Sequence, residues 1–121
     1  MTPLETAQLI AGAINAKKGL DIRILKIRDL TVLADYFVIA TGTSSTQVKA
    51  LAGEVEAKTQ AAGFAPLRVE GFDGGGWILL DYNSVIVHIF QPATRNFYSL
   101  ERLWADAQPV DTSFLEHPGE D

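Results

Sequence analysis

The chain has 121 residues, of which 47% are hydrophobic and 21% charged, as in a single globular domain and unlike a disordered chain. It contains no cysteine, which excludes disulfides, thiolate metal sites and cysteine nucleophiles. The net charge of −5 is unevenly placed: residues 105–121 hold five acids and no base, whereas residues 1–104 balance ten acids against ten bases. A neutral body with an acidic tail binds nucleic acid poorly and suits a basic protein partner.

The sequence lacks the features of a membrane or exported protein. No apolar run approaches the roughly 18 residues that a membrane helix needs. Residues 1–5 carry an early acid and no basic segment, so they resemble neither a secretory nor a transit signal. We therefore expect a cytoplasmic protein without membrane contact.

The first predicted elements are a helix and two strands. The Thr-Pro-Leu-Glu sequence at residues 2–5 is a capping box with proline at the first helical position, and it predicts a helix that ends near Gly19. Residues 22–28 and 36–41 are rich in β-branched and aromatic side chains and predict strands. Residues 29–34 are too few for a crossover helix, so these strands are not expected to be parallel neighbours.

The middle of the chain predicts a strand–helix–strand unit. A turn at residues 42–44 follows the second strand, and apolar residues then recur at helical spacing. Ser44 with Gln47 predicts a capped helix start, and Gly63 predicts its end. A short strand at residues 67–70 completes a right-handed unit.

The remaining elements are a hairpin and a last helix. Residues 71–76 contain four glycines and predict a flexible loop, and strands at 77–82 and 85–90 are joined by a tight turn. Pro92 begins a helix, and the residues after Pro109 lack periodicity and are expected to be mobile. The predicted fold is an α/β domain with a single mixed five-stranded sheet and three helices. The apolar stripe of the last helix comprises Phe97, Leu100, Leu103 and Trp104.

The turn Gly42-Thr43-Ser44 is the strongest candidate for chemistry, since a turn between a strand and a helix can cradle a phosphate. Nucleotidyltransferases pair such a turn with two carboxylates on a nearby strand that hold metal ions. Asp81 has no such partner on its strand, and Glu54 and Glu56 lie on different faces of a helix. The turn is therefore interpreted as a helix cap, and no metal or cofactor site is predicted.

The two histidines do not form a catalytic arrangement in the sequence. His88 lies in the middle of a strand with no serine, threonine or carboxylate placed beside it, so it is interpreted as a hydrogen-bonded residue of the sheet. His117 lies in the tail without chelating neighbours. No catalytic residue is predicted.

Trp77 is the strongest candidate for a binding residue. It shares one side of its strand with Leu79 and Asp81, and polar residues of the neighbouring strands are expected on the same face. If all three helices pack on the opposite face, this side is open and Trp77 is a hot spot for a protein partner. The sequence leaves equally open that Trp77 fills the core. The predicted partner-binding residues are Trp77, Leu79, Asp81, Glu70, Arg68 and His88.

Several short segments, in order and at a characteristic spacing, together resemble the ribosomal silencing factor family, the iojap-like proteins. The similarity covers about residues 3–106. The segments are Asp35-Tyr36-Phe37, Gly42-Thr43-Ser44 with Gln47, Glu70-Gly71, Trp77 with Asp81, Val87-His88-Ile89-Phe90, and Arg95 with Phe97-Tyr98, Leu100-Glu101 and Leu103-Trp104.

This resemblance implies a nucleotidyltransferase-like α/β fold without known transferase activity. It also implies binding to ribosomal protein number fourteen of the large ribosomal subunit, a steric block to small-subunit joining, and a homodimer. We expect an iojap-like domain over residues 1–106 and a mobile acidic tail over residues 107–121. The alternative is a nucleotide-dependent transferase that uses the turn at residues 42–44 and Asp81.

Overall fold

The computed structural model describes residues 1–115, which form one mixed sheet with helices on both of its faces. The helices are α1 (Pro3–Ala16), α2 (Ser45–Ala61), α3 (Pro92–Tyr98) and α4 (Leu100–Leu103), followed by a short 3-10 turn at Ser113–Leu115. The strands are β1 (Leu20–Lys26), β2 (Tyr36–Thr41), β3 (Arg68–Glu70), β4 (Trp77–Asp81), β5 (Val85–Phe90) and β6 (Gln108–Val110). The predicted mixed α/β fold is confirmed, with β6 as an additional strand.

The strands lie in the order β3-β4-β5-β2-β1-β6. The β2–β5 pair is parallel and the others are antiparallel. The β1–β2 pair is therefore not parallel, in agreement with the prediction from the short link between those strands. Thr41 lies opposite Phe90, which in turn lies opposite Trp77. The carboxyl end of β2 and the start of β4 are therefore at the same end of the sheet.

The capping residues of α1 act as their sequence predicts. The Thr2 hydroxyl accepts a hydrogen bond from the Glu5 backbone N–H at 3.1 Å, and the Glu5 carboxylate accepts one from the Thr2 N–H at 2.9 Å. The predicted glycine cap is displaced by one residue, because Lys18 takes the left-handed conformation with φ of 67°. Gly19 is required for space instead, since a Cβ there would lie 2.3 Å from the Ile14 side chain.

Two apolar clusters lie on opposite faces of the sheet. The first is enclosed by α1, α2 and strand residues that include Ile78 and Leu80. The second lies on the other face around Phe37, Ile39 and Phe90. All six residues of β2 are buried because this strand is covered on both faces. Within residues 1–115, no helix is both long and apolar enough to cross a membrane.

Residues 108–115 depart from the expectation of a mobile tail, so the ordered domain extends beyond residue 106. Strand β6 pairs with the end of β1 at the edge of the sheet, where a proline such as Pro109 is tolerated. Leu115 packs against the first cluster, and its carbonyl accepts a hydrogen bond from the Asn15 amide at 2.8 Å. A three-residue strand is too short to show periodicity, so the sequence did not reveal it. Residues 116–121, with His117, lie outside the described residues.

Leu115→Ala is expected to lower the free energy of unfolding by about 1 kcal/mol, below the range for a fully buried leucine because Leu115 is only half-buried. Chemical denaturation monitored by circular dichroism measures this loss. The control is Phe114→Ala, which truncates the neighbouring exposed side chain and should cost less. Equal stability of Leu115→Ala and the wild type would show that the end of the described chain contributes nothing to the fold.

Candidate protein-binding surface

The candidate binding surface lies on the sheet face turned away from α1 and α2. Ile78 and Leu80 are fully buried in the first cluster. Because side chains alternate along a strand, Trp77, Leu79 and Asp81 project from the opposite face. This is the face that the alternation of β4 predicts for them.

The same face is only partly open, because the condition that all three helices pack on the other side is not met. The helix predicted from Pro92 is interrupted at Ser99, which takes the left-handed conformation with φ of 49°. After this break Leu100 and Trp104 turn towards the sheet and pack against the second cluster. The Trp104 ring meets the Phe37 ring edge-on at 5.3 Å. Segment α3–α4 therefore covers part of the face, and Trp77, Leu79 and Asp81 of β4 remain partly exposed.

Trp77 combines the two roles that its sequence left open. It is half-buried, and its ring lies 4.9 Å from that of buried Phe90 and 4.7 Å from that of Tyr98. Its indole Nε1 donates a hydrogen bond to Nδ1 of His88 at 3.2 Å. The indole thus rests on the second cluster and exposes the remainder of its surface.

His88 is a hydrogen-bonded residue of the sheet, as predicted, but it is buried and so is not available to contact a partner directly. Only 5% of its surface is accessible, and its ring meets that of Phe37 edge-on at 4.8 Å. Burial lowers the pKa of His88 to about 4, so the imidazole is neutral at pH 7. Because Nδ1 accepts from Trp77, the proton of the neutral ring is on Nε2.

Charged residues line the surface on the side of β3. The Arg68 guanidinium lies 3.4 Å from the Glu70 carboxylate and 3.3 Å from that of Asp81. Asp81 also accepts a hydrogen bond from the Asn83 N–H at 2.8 Å, which shapes the hairpin turn. Arg68 and Glu70 are exposed, so these ion pairs add little stability but place both signs of charge beside Leu79.

Two aromatic residues of α3 extend the surface and were missed as binding residues in the sequence. Phe97 and Tyr98 are 79% and 52% exposed, and their rings lie 5.0 Å apart. The sequence placed Phe97 in the apolar stripe of the last helix, and a serine at position 99 does not predict the left-handed conformation that interrupts this helix. We define the Trp77 surface as Trp77, Leu79, Phe97 and Tyr98.

Arg95 fastens α3 to the sheet and so positions Tyr98. Its side chain is 11% exposed, and Nη1 donates to the Asp21 carbonyl at 2.8 Å and to the Thr41 hydroxyl at 2.7 Å. Nε and Nη2 donate to the Glu101 carboxylate at 3.1 and 2.7 Å. These hydrogen bonds hold the pKa of Glu101 below its usual value. One guanidinium therefore joins α3 and α4 to β1 and β2.

Arg95→Met is expected to lower the free energy of unfolding by about 2 kcal/mol, because it leaves the Glu101 carboxylate without its bidentate partner. Urea denaturation measures the change. Arg102→Met is the control, because Arg102 is exposed and neighbours the same segment. Equal effects of the two substitutions would contradict a clamping role for Arg95.

The turn at Gly42-Thr43-Ser44 caps the N-terminus of α2, which confirms its interpretation as a helix cap. The Ser44 hydroxyl accepts from the Gln47 N–H at 3.1 Å. The Gln47 carboxamide oxygen accepts from the Thr43 N–H at 2.6 Å and from the Thr43 hydroxyl at 2.9 Å. The Thr43 N–H and hydroxyl, the Ser44 hydroxyl and the Gln47 N–H are therefore engaged within the chain.

Asp81 is at the other end of the sheet from this turn. It lies opposite Ile86, which is paired with Phe37, whereas the turn follows Thr41. Four residues along a strand correspond to about 13 Å, so Asp81 and the turn do not form one site. Within residues 1–115, no group of three or more His, Asp or Glu is arranged to hold a metal ion.

Ser44→Ala is expected to lower the free energy of unfolding by about 1 kcal/mol through loss of the cap of α2. Thermal denaturation checks this, with exposed Thr46→Ala in the first turn as the control. Ser44→Asp should restore stability because aspartate caps helices well. A cost no larger than that of Thr46→Ala would contradict a capping role.

The fold and this surface define a small mixed α/β protein that exposes a cluster of aromatic side chains beside paired charges. A family model described as "Ribosomal silencing factor during starvation" (RsfS) matches residues 1–121. The chain therefore belongs to the ribosomal silencing factor family, as its resemblance predicted.

Relatives and solved structures are similar over most of the chain. The "Ribosomal silencing factor RsfS" of Bacillus subtilis is 37% identical, covering 88% of this chain and 91% of that protein. The protein of the same name from Chromobacterium violaceum is 40% identical, covering 87% and 86%. A crystal structure of a protein from Chromobacterium violaceum superposes with a TM-score of 0.85 at 37% identity over 98% of both chains. A second, from Bacillus halodurans, has a TM-score of 0.79 at 33% identity, covering 89% of this chain and 98% of that one.

Proposed function

We propose that the protein is a translational repressor that binds the large ribosomal subunit through ribosomal protein number fourteen and sterically blocks joining of the small subunit. The match of the ribosomal silencing factor model to residues 1–121 carries this proposal. The relatives from Bacillus subtilis and Chromobacterium violaceum, which share most of their length with this chain, are named ribosomal silencing factors. A factor of this kind acts by occupancy and needs a specific interface rather than an active site.

The Trp77 surface is the proposed site of contact with the ribosomal protein. Stable interfaces bury about 800 Å² on each partner, and a few central aromatic residues carry most of the energy. Trp77 and Tyr98 supply such residues, and both are supported from beneath or beside by other rings. Arg68, Glu70 and Asp81 supply charges that can set the register of a partner at the side of the surface.

The charge distribution supports a protein partner with little direct contact to nucleic acid. Residues 1–104 carry equal numbers of acids and bases, whereas tight phosphate binding needs clustered Lys and Arg. The excess of acids in residues 105–121 would speed association with a basic protein, an effect that salt should weaken.

Exposed aromatic residues also support a homodimer of the free protein, since a patch of this kind is more stable when covered. Sedimentation velocity over a range of protein concentrations tests this part of the proposal. A monomer at all concentrations would contradict it and leave the ribosomal part standing.

The transferase alternative has less support, because the turn is engaged in a cap and Asp81 lies at the other end of the sheet. Thermal denaturation with nucleotides and magnesium at millimolar concentration separates the two functions. A repressor should show no stabilisation, whereas a marked rise in melting temperature would favour the transferase.

The decisive experiment is co-sedimentation with large ribosomal subunits, followed by addition of small subunits. The protein is expected to sediment with large subunits, to reduce the formation of joined ribosomes, and to bind isolated ribosomal protein number fourteen. Val32→Ala is the matched control, because Val32 is fully exposed in the loop between β1 and β2 and lies outside the Trp77 surface. Absence of binding to large subunits would overturn the proposed function.

A further inference from the structure

The packing around His88 does not explain why this residue is a histidine. It is buried among Phe37, Trp77 and Phe90, and within residues 1–115 its Nε2 has no hydrogen-bond partner. An unpartnered buried N–H lowers stability, and a phenylalanine would fill similar space without one. Packing alone therefore disfavours the imidazole at this position.

The hydrogen bond to Trp77 distinguishes the imidazole from a phenyl ring. Trp77 lies opposite Phe90 and His88 lies opposite Leu79, so Trp77 and His88 are diagonal neighbours on adjacent strands. The neutral ring offers an acceptor at Nδ1, 3.2 Å from the indole Nε1. Within residues 1–115, the Trp77 ring also makes tilted contacts with the rings of Phe90 and half-exposed Tyr98. Such ring contacts tolerate rotation of the indole, whereas a hydrogen bond to Nε1 selects one orientation.

We infer that His88 is a positioning residue of the Trp77 surface: its buried Nδ1 holds the indole of Trp77 in one orientation, ready for the partner, without touching the partner itself. This inference rests on the proposed function. A partner then meets an indole that is already ordered, and the loss of side-chain entropy on binding is smaller.

Two substitutions at His88 separate positioning from packing. His88→Phe keeps an aromatic ring in the second cluster but removes the acceptor. His88→Asn removes the ring but keeps an oxygen acceptor at about the place of Nδ1. If His88 positions Trp77, the variant that keeps an acceptor, His88→Asn, should bind the large subunit more tightly than His88→Phe. If His88 has only a structural role, the more stable of the two variants should bind more tightly.

The first measurement is affinity for large ribosomal subunits, together with thermal stability. His88→Phe is expected to be at least as stable as the wild type and to bind about tenfold more weakly, whereas His88→Asn is expected to be less stable but to bind better than His88→Phe. In a Trp77→Phe background, which lacks the donor, His88→Phe should cause no further loss of affinity. Wild-type affinity of His88→Phe, or additive losses in the double variant, would overturn the inference.

The second measurement needs no ribosome. In ¹⁵N spectra, with Trp104→Phe used to assign the remaining indole signal, the Trp77 Nε1 proton should exchange slowly in the wild type and in His88→Asn. It should exchange faster in His88→Phe. An unchanged signal in His88→Phe would overturn positioning even if binding falls. If the wild-type protein does not bind large ribosomal subunits, the proposed function is wrong. The indole signal would still report whether His88 orders the Trp77 side chain.

Discussion

Trp77→Ala is expected to weaken binding to the large ribosomal subunit by at least ~2 kcal/mol, roughly thirtyfold, as for the central residue of an interface. Trp77 joins buried Phe90 to half-exposed Tyr98, so its removal takes away both contact area and the support of its neighbour. Co-sedimentation at a series of protein concentrations measures the change in affinity.

The same substitution should lower the free energy of unfolding by about 1–2 kcal/mol, less than truncation of a fully buried tryptophan, because Trp77 is only half-buried. Trp77→Phe is the matched variant, since it keeps an aromatic ring on Phe90. Val32→Ala controls for removal of exposed apolar area elsewhere. A stable Trp77→Ala variant with wild-type affinity would remove Trp77 from the interface. A loss of stability of about 3–5 kcal/mol would show that Trp77 acts mainly as a core residue.

Acid is expected to destabilise the protein through His88. Burial lowers the pKa of folded His88 from its ordinary value of 6.5 to about 4. Between these values the unfolded chain binds a proton that the folded chain does not, so the free energy of unfolding falls as the pH falls. The loss from this residue is on the order of 3 kcal/mol and is complete once the pH passes below about 4.

Urea denaturation of the wild type and His88→Phe over the range from pH 7 to pH 4 tests this prediction. The variant should lose less stability with acid, because its side chain does not titrate. Carboxylates such as Glu101 titrate in both proteins, so the difference between the two curves reports His88. Parallel curves would show that the histidine is protonated in the folded protein as readily as in the unfolded chain.

Local features of the structure could be predicted where neighbouring residues decide them. The capping box at Thr2 and Glu5, the Ser44 cap of α2 and the tight turn of the hairpin depend on side chains within a few residues of each other. That β1 and β2 are not parallel neighbours followed from a link that is too short for a crossover helix, and in the structure they pair antiparallel. Alternation along β4 likewise placed Trp77 on the face away from α1 and α2.

Which side chains lie beside Trp77 on that face depends on contacts between distant parts of the chain. Arg95 reaches the backbone of Asp21 and the side chain of Thr41, and this attachment brings α3 beside Trp77. The break at Ser99 turns Phe97 outward and Trp104 inward. Neither event could be predicted from residues 92–104 alone, because the contacts with Asp21, Thr41 and Phe37 come from β1 and β2.

By itself the sequence determined the fold class, the absence of cysteine chemistry and, through the combination of its motifs, the family. These depend on composition, periodicity and the order of residues along the chain, all of which are properties of the sequence alone. Only the tertiary structure decided that Trp77 is half-buried, that buried His88 accepts a hydrogen bond from its indole, and that β6 and Leu115 extend the domain. Whether a side chain is buried depends on which elements pack against it. In this fold those elements come from distant parts of the chain.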